Sequence, residues 1–317
     1  MNASVPALPG IWLTGWRARP DIMLFRIVLP LVFIFLWSSA FLAAKVGVQY
    51  STPFAMLLLR FVLVSLVFAA MLGFARGWRL SGSPRPGLSV IGLTAVVGIT
   101  LHSFYLGSVF FAISLGLSAG ISALIVSLQP LMASGLAILL FGERLRPAQM
   151  AGMAAGLAGV VLVLLPKMGG EMPPLGLASV TFGLCAVTAG TLLQKHIGGR
   201  IDLLAGNLVQ AVAASAALAL ICLTVEVPRI SWELPFMLAL AWQVVMVSAG
   251  AYVILMVLIR RGTMAAVSSL LFLVPPVTAV LAAVGFDEPL TAIGVIGFCL
   301  TSAGVYMVTA NAASREG

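Results

Sequence analysis

Residues 112–164 read AISLGLSAGISALIVSLQPLMASGLAILLFGERLRPAQMAGMAAGLAGVVLVL, and residues 258–308 read LIRRGTMAAVSSLLFLVPPVTAVLAAVGFDEPLTAIGVIGFCLTSAGVYMV. At an offset of 146, Gly116 falls on Gly262, Ala119 on Ala265, Ser122 on Ser268 and Pro130 on Pro276. One residue is then lost, and at 145 Glu143 falls on Glu288, Leu145 on Leu290, Gly152 on Gly297 and Gly159 on Gly304. Each copy is two long apolar runs joined by a short charged hinge. Hydrophobic helix pairs repeated within one chain point to a membrane protein built by duplication.

The composition agrees with that reading. The chain is 62% hydrophobic and 8% charged, where a soluble domain carries about 25% charge. Lipid is therefore its main solvent. Cys185, Cys222 and Cys299 lie in apolar runs with no metal or redox spacing, and read as small core thiols. A spanning helix needs about 20 apolar residues. Ten segments qualify: 27–49, 54–75, 87–110, 117–141, 147–165, 175–194, 203–224, 234–259, 264–285 and 290–310. Ser51-Thr52-Pro53, Arg146-Pro147, Pro173-Pro174 and Glu288-Pro289 mark joints, because a proline in the first helical turn has no needed N–H to lose. Residues 1–26 read as a cytoplasmic tail, with Met23 an alternative start, and 311–317 as a second tail. No cleavage site follows the first apolar run, which reads as a retained helix rather than a signal peptide.

Charge tests the count. With the N-terminus cytoplasmic, the inside segments hold thirteen basic residues: Arg17, Arg19, Arg26, Arg76, Arg79, Arg85, Arg144, Arg146, Lys195, Arg200, Arg260, Arg261 and Arg315. The outside segments hold only Lys167 and Arg229, and Lys45 and Arg60 lie within helices, which accounts for all 17. That is a strong positive-inside signal. The net charge of +8 is thus a topology signal, and nucleic-acid binding falls away. Five helices per half is odd, so the expected fold is all-α integral membrane. It has ten transmembrane helices as two inverted five-helix repeats, 27–165 and 175–310, with both termini cytoplasmic. Such repeats place a substrate site near the midplane between the halves.

All nine acids lie in loops or at helix ends, which disfavours a cationic-drug/proton antiporter that relies on a buried carboxylate. Lys45 lies near the outer end of its helix, and Arg60 about two turns into the next. Snorkelling to headgroups competes with substrate binding as an account of both, and the deeper Arg60 is the stronger candidate. Trp37, Phe41 and Lys45 share a face by their spacing of four, either as a packing stripe or as a cavity wall. His102, Tyr105, Trp242, Gln243 and Tyr252 are further polar or aromatic groups at mid-span. His102 is the one mid-membrane group titrating near neutrality, although an intramembrane histidine is more often an interhelical hydrogen bonder. Asn207 and Gln210 read as interhelical glue. Pro130 and Pro276 recur at equivalent mid-helix positions, where a proline frees a carbonyl, and read as kinks of a bent pair lining the centre. Gly152, Gly156, Gly159, Gly294, Gly297 and Gly304 permit close helix contact, within one subunit or across a dimer.

Gly116-Leu117-Ser118-Ala119-Gly120 fits the G-x-S-x-G of serine hydrolases. That motif needs a strand-turn-helix elbow, and the repeat replaces Ser118 with Met264 while keeping the flanking glycine and alanine. A tight helical turn explains the pattern better.

WSSAFLAAKVG at 37–47, LLLRF at 57–61, the run from Ala112 to Leu131, FGERL at 141–145 and DEPL at 287–290 resemble the EamA-type transporters of the drug/metabolite transporter superfamily. The resemblance covers about residues 27–310. It implies a multi-pass carrier of the bacterial inner membrane, commonly an exporter of amino acids or other small metabolites. It also implies that Lys45 and Arg60 are the family's basic residues of helices 1 and 2, and Glu143 and Glu288 its post-helix acids. The second half departs from the pattern, with no clean counterpart of WSSAF or LLLRF.

The expected function is alternating-access transport through a central cavity contacted by Trp37, Lys45, Arg60, His102, Tyr105, Trp242, Gln243 and Tyr252. Glu143 and Glu288 are expected to tether hinge loops. No cofactor or metal is expected, and no GxxxxGK[ST] loop is present for ATP. The partners expected are a small-molecule substrate and the bilayer, with the chain a monomer or a homodimer. The rivals are a sugar-phosphate or nucleotide-conjugate carrier, which would want more intramembrane cations, and an intramembrane enzyme or scaffold.

Overall fold

In lipid a backbone N–H or C=O has no water to turn to, so apolar segments of this length satisfy their own hydrogen bonds as helices. The computed structural model describes residues 28–77, 86–141, 147–164, 172–251, 253–254, 257–258 and 270–313. Among them the chain is all-helical, with one isolated bridge between Ser51 and Ile230. The helices are α1 (Leu29–Tyr50), α2 (Pro53–Gly77), α3 (Leu88–Ser114), α4 (Ala119–Val126 and Gln129–Phe141), α5 (Pro147–Leu164), α6 (Pro174–Ile197), α7 (Leu203–Val225), α8 (Leu234–Ala251), α9 (Val274–Phe286) and α10 (Ala292–Ala313). Eight of these are long and apolar enough to cross a membrane, and the stretches Leu271–Phe286 and Ala292–Met307 are shorter apolar helices. Glu143 and Tyr252 lie outside the described residues, as do the tail at 1–26 and residues 314–317 of the tail at 311–317, whose first three residues instead continue α10.

Three departures from regular α-helix matter. α3 widens to a π-helix at Ile99–Tyr105 and α8 does so at Trp242–Ala251. At the offset of 146, Leu88 falls on Leu234 and Ile99–Tyr105 on Val245–Ala251, so the two irregular stretches share a register. α4 breaks at Ser127–Leu128, which puts Pro130 second in the new segment, with Met132 N–H bonded to the Leu128 carbonyl at 3.0 Å. Pro276 likewise stands in the first turn of α9, after the 3₁₀ turn Leu271–Leu273. Both prolines therefore occupy first turns, where a missing N–H costs no bond.

Most of the packing between the halves follows one rule. Helices α2 and α7 pack together, as do α4 and α9, and α5 and α10. Exchanging each helix for the one five places along leaves these pairs unchanged, and it converts α1·α8 into α6·α3, α1·α9 into α6·α4, and α2·α8 into α7·α3, all of which are present. Large apolar side chains such as Leu31, Leu66, Leu88, Leu220 and Val284 are exposed around the outside, while Phe33, Met56, Leu57, Leu124, Leu218 and Phe236 are fully buried.

A close seam is α5 against α10. A Cβ on Gly159 would stand 2.4 Å from Thr301 Oγ1 and 2.5 Å from the Gly297 carbonyl oxygen. On Gly304 it would stand 2.4 Å from the Gly156 nitrogen and 2.5 Å from the Gly152 carbonyl oxygen. The offset of 145 turns the first contact, Gly159 on Gly297, into the second, Gly304 on Gly152. Thr301 Oγ1 bonds the Gly297 carbonyl at 2.9 Å and reaches the Gly156 carbonyl at 3.3 Å. Gly159→Leu is expected to destabilise the detergent-solubilised protein by about 1–3 kcal/mol through overpacking. Leu157→Ala, at an exposed position, is expected to change it by less than about 0.5 kcal/mol. Melting curves of the two variants check this, and an unchanged melt for Gly159→Leu would contradict the contact.

Candidate functional site

Two polar clusters lie where helices of the two halves meet. In the first, Arg60 on α2 is 6% exposed, and its Nε and Nη2 donate to Ser248 Oγ on α8 at 3.3 and 3.1 Å. The guanidinium lies 5.4 Å from the centre of the Phe61 ring, which in turn meets the His102 ring at 4.7 Å. His102 hydrogen-bonds the side chain of Gln210 on α7, and Gln210 Nε2 donates to Gln194 Oε1 on α6 at 2.7 Å. Tyr105 is within electrostatic reach of Arg60. His102, Tyr105 and Ser248 all stand on the π stretches of α3 and α8, and π segments inside α-helices are frequent at functional sites. At the offset of 146, His102 falls on Ser248. Arg60 with Ser248 and Gln210 with His102 are thus corresponding contacts of the two halves.

Between α8 and α1, Trp242 Nε1 donates to Ser39 Oγ at 2.9 Å and Gln243 Nε2 to the Ala40 carbonyl at 3.0 Å. Gln243 and Thr278 are fully buried, and among the described residues Gln243 Oε1 and Thr278 Oγ1 have no hydrogen-bond partner. Trp37 stacks obliquely on Phe33, and Phe35 meets Trp242 edge-on.

The second cluster lies at one end of the bundle. Lys45 Nζ bonds Glu288 Oε1 at 2.6 Å and lies 4.6 Å from the centre of the Phe286 ring. The Ser118 hydroxyl donates to Glu288 Oε2, and the Ala119 backbone at the start of α4 also hydrogen-bonds this carboxylate. Burial raises the Glu288 pKa, but the Lys45 and Ser118 hydrogen bonds, the Lys45 charge and the Ala119 bond outweigh it and hold the group below its ordinary 4.5. Asp287 precedes it in the left-handed region at φ 53°, a conformation that aspartate tolerates better than most residues. Nearby Glu226 accepts from Thr52 Oγ1 at 2.7 Å and from the Ala55 N–H at 2.8 Å. Two carboxylates of the second half therefore each cap a helix start of the first half, α4 and α2, where the helix dipole favours an anion. A cavity of about 200 Å³ opens against Lys45, Gly116, Ser118, Met172, Pro173 and Glu288.

The candidates read from sequence thus divide. Arg60, His102 and Tyr105 come together; Trp242 and Gln243 join α8 to α1; and Lys45 is paired with Glu288. Ser248 and Glu226 escaped the sequence reading, and the one available signal for Ser248 was its register with His102. The G-x-S-x-G lookalike is a helix-ending turn. Gly116 has φ +96°, its N–H bonds the Ile113 carbonyl and that of Leu117 the Ala112 carbonyl, a glycine cap of the Schellman type. Ser118 serves Glu288, and His102 stands twelve residues before the end of α3, about 18 Å along the helix axis. The pair has no geometry for nucleophilic catalysis.

Residues 24–165 match the EamA-like transporter family. Over nearly its whole length the chain is similar to the transporter YvbV of Bacillus subtilis, at 24% identity covering 92% of this chain and 94% of that one. It is similar to a probable amino-acid metabolite efflux pump of Escherichia coli, at 26% over 88% and 93%. It is also similar to the inner membrane transporter YedA of Escherichia coli, at 28% over 91% and 95%. A protein of known crystal structure shares the fold, with a TM-score of 0.63 at 24% identity over 92% of this chain and 98% of that one. Apolar helices around a buried cation, taken with these relatives, define a multi-pass membrane transporter. Within that class the first half of the chain is similar to the EamA-like transporter family.

The depressed Glu288 pKa carries a sign. A carboxylate held below its unfolded value contributes stability that is fully present above that value and is lost as pH falls through the folded one. Wild type is therefore expected to melt above Glu288→Gln at neutral pH, with the gap closing as pH falls below the ordinary 4.5. Paired melting curves across pH 3–7 read this, and a constant gap would contradict the ion pair.

Proposed function

We propose that the chain is a secondary carrier that exports small organic metabolites bearing a carboxylate, amino acids among them, by alternating access across the bacterial inner membrane. The observation that carries the reading is Arg60. It is the one buried cation among the described residues, its hydrogen bonds go to a neutral hydroxyl, and no carboxylate among the described residues forms an ion pair with it. A guanidinium presents five donors in a planar fork, and a solute carboxylate supplies the missing counter-charge. Tyr105 and His102 lie within electrostatic reach of the guanidinium and suit the rest of an organic solute, for which Trp242, Gln243 and Trp37 on α8 and α1 are further candidates. Tyr252 and Glu143 remain candidates from sequence.

The reciprocal packing of α1–α5 with α6–α10 supports two inverted five-helix repeats, and the thirteen-to-two charge asymmetry supports cytoplasmic termini. The relative named as an amino-acid metabolite efflux pump supports both the direction and the solute class. Phosphate-rich cargo fits less well, because Lys45 is already paired with Glu288 and Arg60 is left as a single buried cation for a dianion.

Proteoliposomes loaded with radiolabelled amino acids and organic acids test the reading. Wild type is expected to move a carboxylated solute, and Arg60→Ala to weaken its apparent affinity at least tenfold, since a hydrogen bond to a charged group contributes about 1.5–3 kcal/mol. Arg60→Lys retains charge without the fork and is expected to fall between. Undiminished flux in Arg60→Ala would remove the central role of this residue.

A further inference from the structure

The Lys45–Glu288 pair has the form of a filled binding site. Lys45 has 24% of its side chain exposed and Glu288 15%, so both are largely removed from water. Among the described residues the ammonium keeps a single anion, at 2.6 Å, and one aromatic face, Phe286. That anion comes from the α9–α10 joint of the second half, whereas its three partners, Lys45, Ser118 and Ala119, belong to α1 and α4 of the first. The carboxylate also forms part of two adjoining hollows. One is the cavity of about 200 Å³ beside Lys45, and the other lies on Ile121, Thr291, Gly294 and Phe298. Glu288, Pro289, Ser118 and Ile121 border both.

A partly buried ammonium cannot be left bare without a large penalty, but one carboxylate can replace another at little electrostatic cost. A solute carboxylate entering the larger cavity meets Lys45 and Ser118, the same cation and hydroxyl that now hold Glu288. The cavity is smaller than the roughly 300–1,000 Å³ of drug-sized sites, which limits the solute to about the size of an amino acid.

We infer that the cavity against Lys45 is a second, vestibular binding site for the carboxylate of a small organic acid or amino acid, in which Glu288 is the chain's own stand-in and must be displaced. Displacement parts the α9–α10 joint from α1 and α4, so occupancy of the vestibule unfastens this end of the bundle. The site is additional to the one at Arg60.

The signature is an inverted mutational effect. An internal competitor weakens a ligand by the fraction of time it occupies the site, so removing its charge must tighten binding. A residue that contacted the ligand directly would do the opposite. The probes are benzoate and L-phenylalanine, with phenethylamine as the counterpart lacking a carboxylate. They are titrated calorimetrically into purified full-length protein in detergent, with Arg60 intact and as Arg60→Met. Glu288→Gln is expected to tighten binding of both carboxylates about tenfold or more, Lys45→Met to abolish the Arg60-independent binding, and Lys45→Arg to retain it. Phenethylamine is expected not to bind there. Unchanged or weaker binding in Glu288→Gln, survival of that binding in Lys45→Met, or equal binding of phenethylamine would each overturn the site. Because the sign of the Glu288→Gln effect is read without transport, a failure here is distinct from a loss of the Arg60 role, which the flux assay reads.

Discussion

Two apolar helices gain no hydrophobic free energy by meeting in lipid, since the lipid tails they leave are as apolar as the neighbour they join. The seam between the halves must therefore be held by close backbone approach and by polar bonds. This chain uses both. Gly152, Gly156 and Gly159 let the backbone of α5 come within contact of Gly297, Thr301 and Gly304 on α10. At one end of the bundle, Glu226 and Glu288 carry a charge from the second half to helix starts of the first. The Ser51–Ile230 bridge and the bond from Ser231 N–H to the Tyr50 carbonyl, at 2.7 Å, lie beside Glu226 and fasten the same end. The glycines supply close approach within the span, and the carboxylates and the bridge supply polar bonds at its end.

The two intrahelical cations show how much depends on what faces them. Lys45 and Arg60 are alike as residues in apolar runs, and sequence offers only depth to separate them. In the fold one has a carboxylate and the other a serine hydroxyl. A largely buried cation without an anion is costly, and such a cost is tolerated where another component supplies the charge. The buried Gln243 carbonyl oxygen, also unpartnered, lies on the same π stretch as Ser248. Polar groups left incomplete thus gather where α8 passes α1 and α2.

Much of the architecture was legible in the sequence because its causes are local or periodic. Apolar runs of membrane length, prolines at first turns and glycines repeated at 145 each leave a trace in one dimension. The family resemblance was legible for the same reason, being carried by short runs such as WSSAFLAAKVG and FGERL. The partnerships were not legible. Glu226 meets α2 across 171 residues and Lys45 meets Glu288 across 243, and neither pair leaves a spacing to read. The π stretches were also hidden, since Ile99–Tyr105 and Trp242–Ala251 contain no proline to announce an irregular turn. Ser118 was legible only as half of a false motif, because the acid that uses its hydroxyl is 170 residues away.

The missing counterpart of LLLRF in the second half has an explanation in contacts rather than in letters. His102 and Ser248 share a register, and α2·α8 becomes α7·α3 when the halves are exchanged. Arg60 is bonded to Ser248, and Gln210 is bonded to His102. Gln210, within NLVQA, therefore does for the second half what Arg60, within LLLRF, does for the first. A sequence comparison loses this equivalence because arginine and glutamine share neither charge nor shape. The divergence has a physical consequence. A site built symmetrically from two arginines would gather two positive charges near one midplane, which suits a dianion. With arginine on one side and a glutamine–histidine pair on the other, the centre offers one fixed charge opposite a neutral donor and acceptor. Under the proposed function, that asymmetry suits a solute with a carboxylate at one end and an uncharged polar or aromatic body at the other.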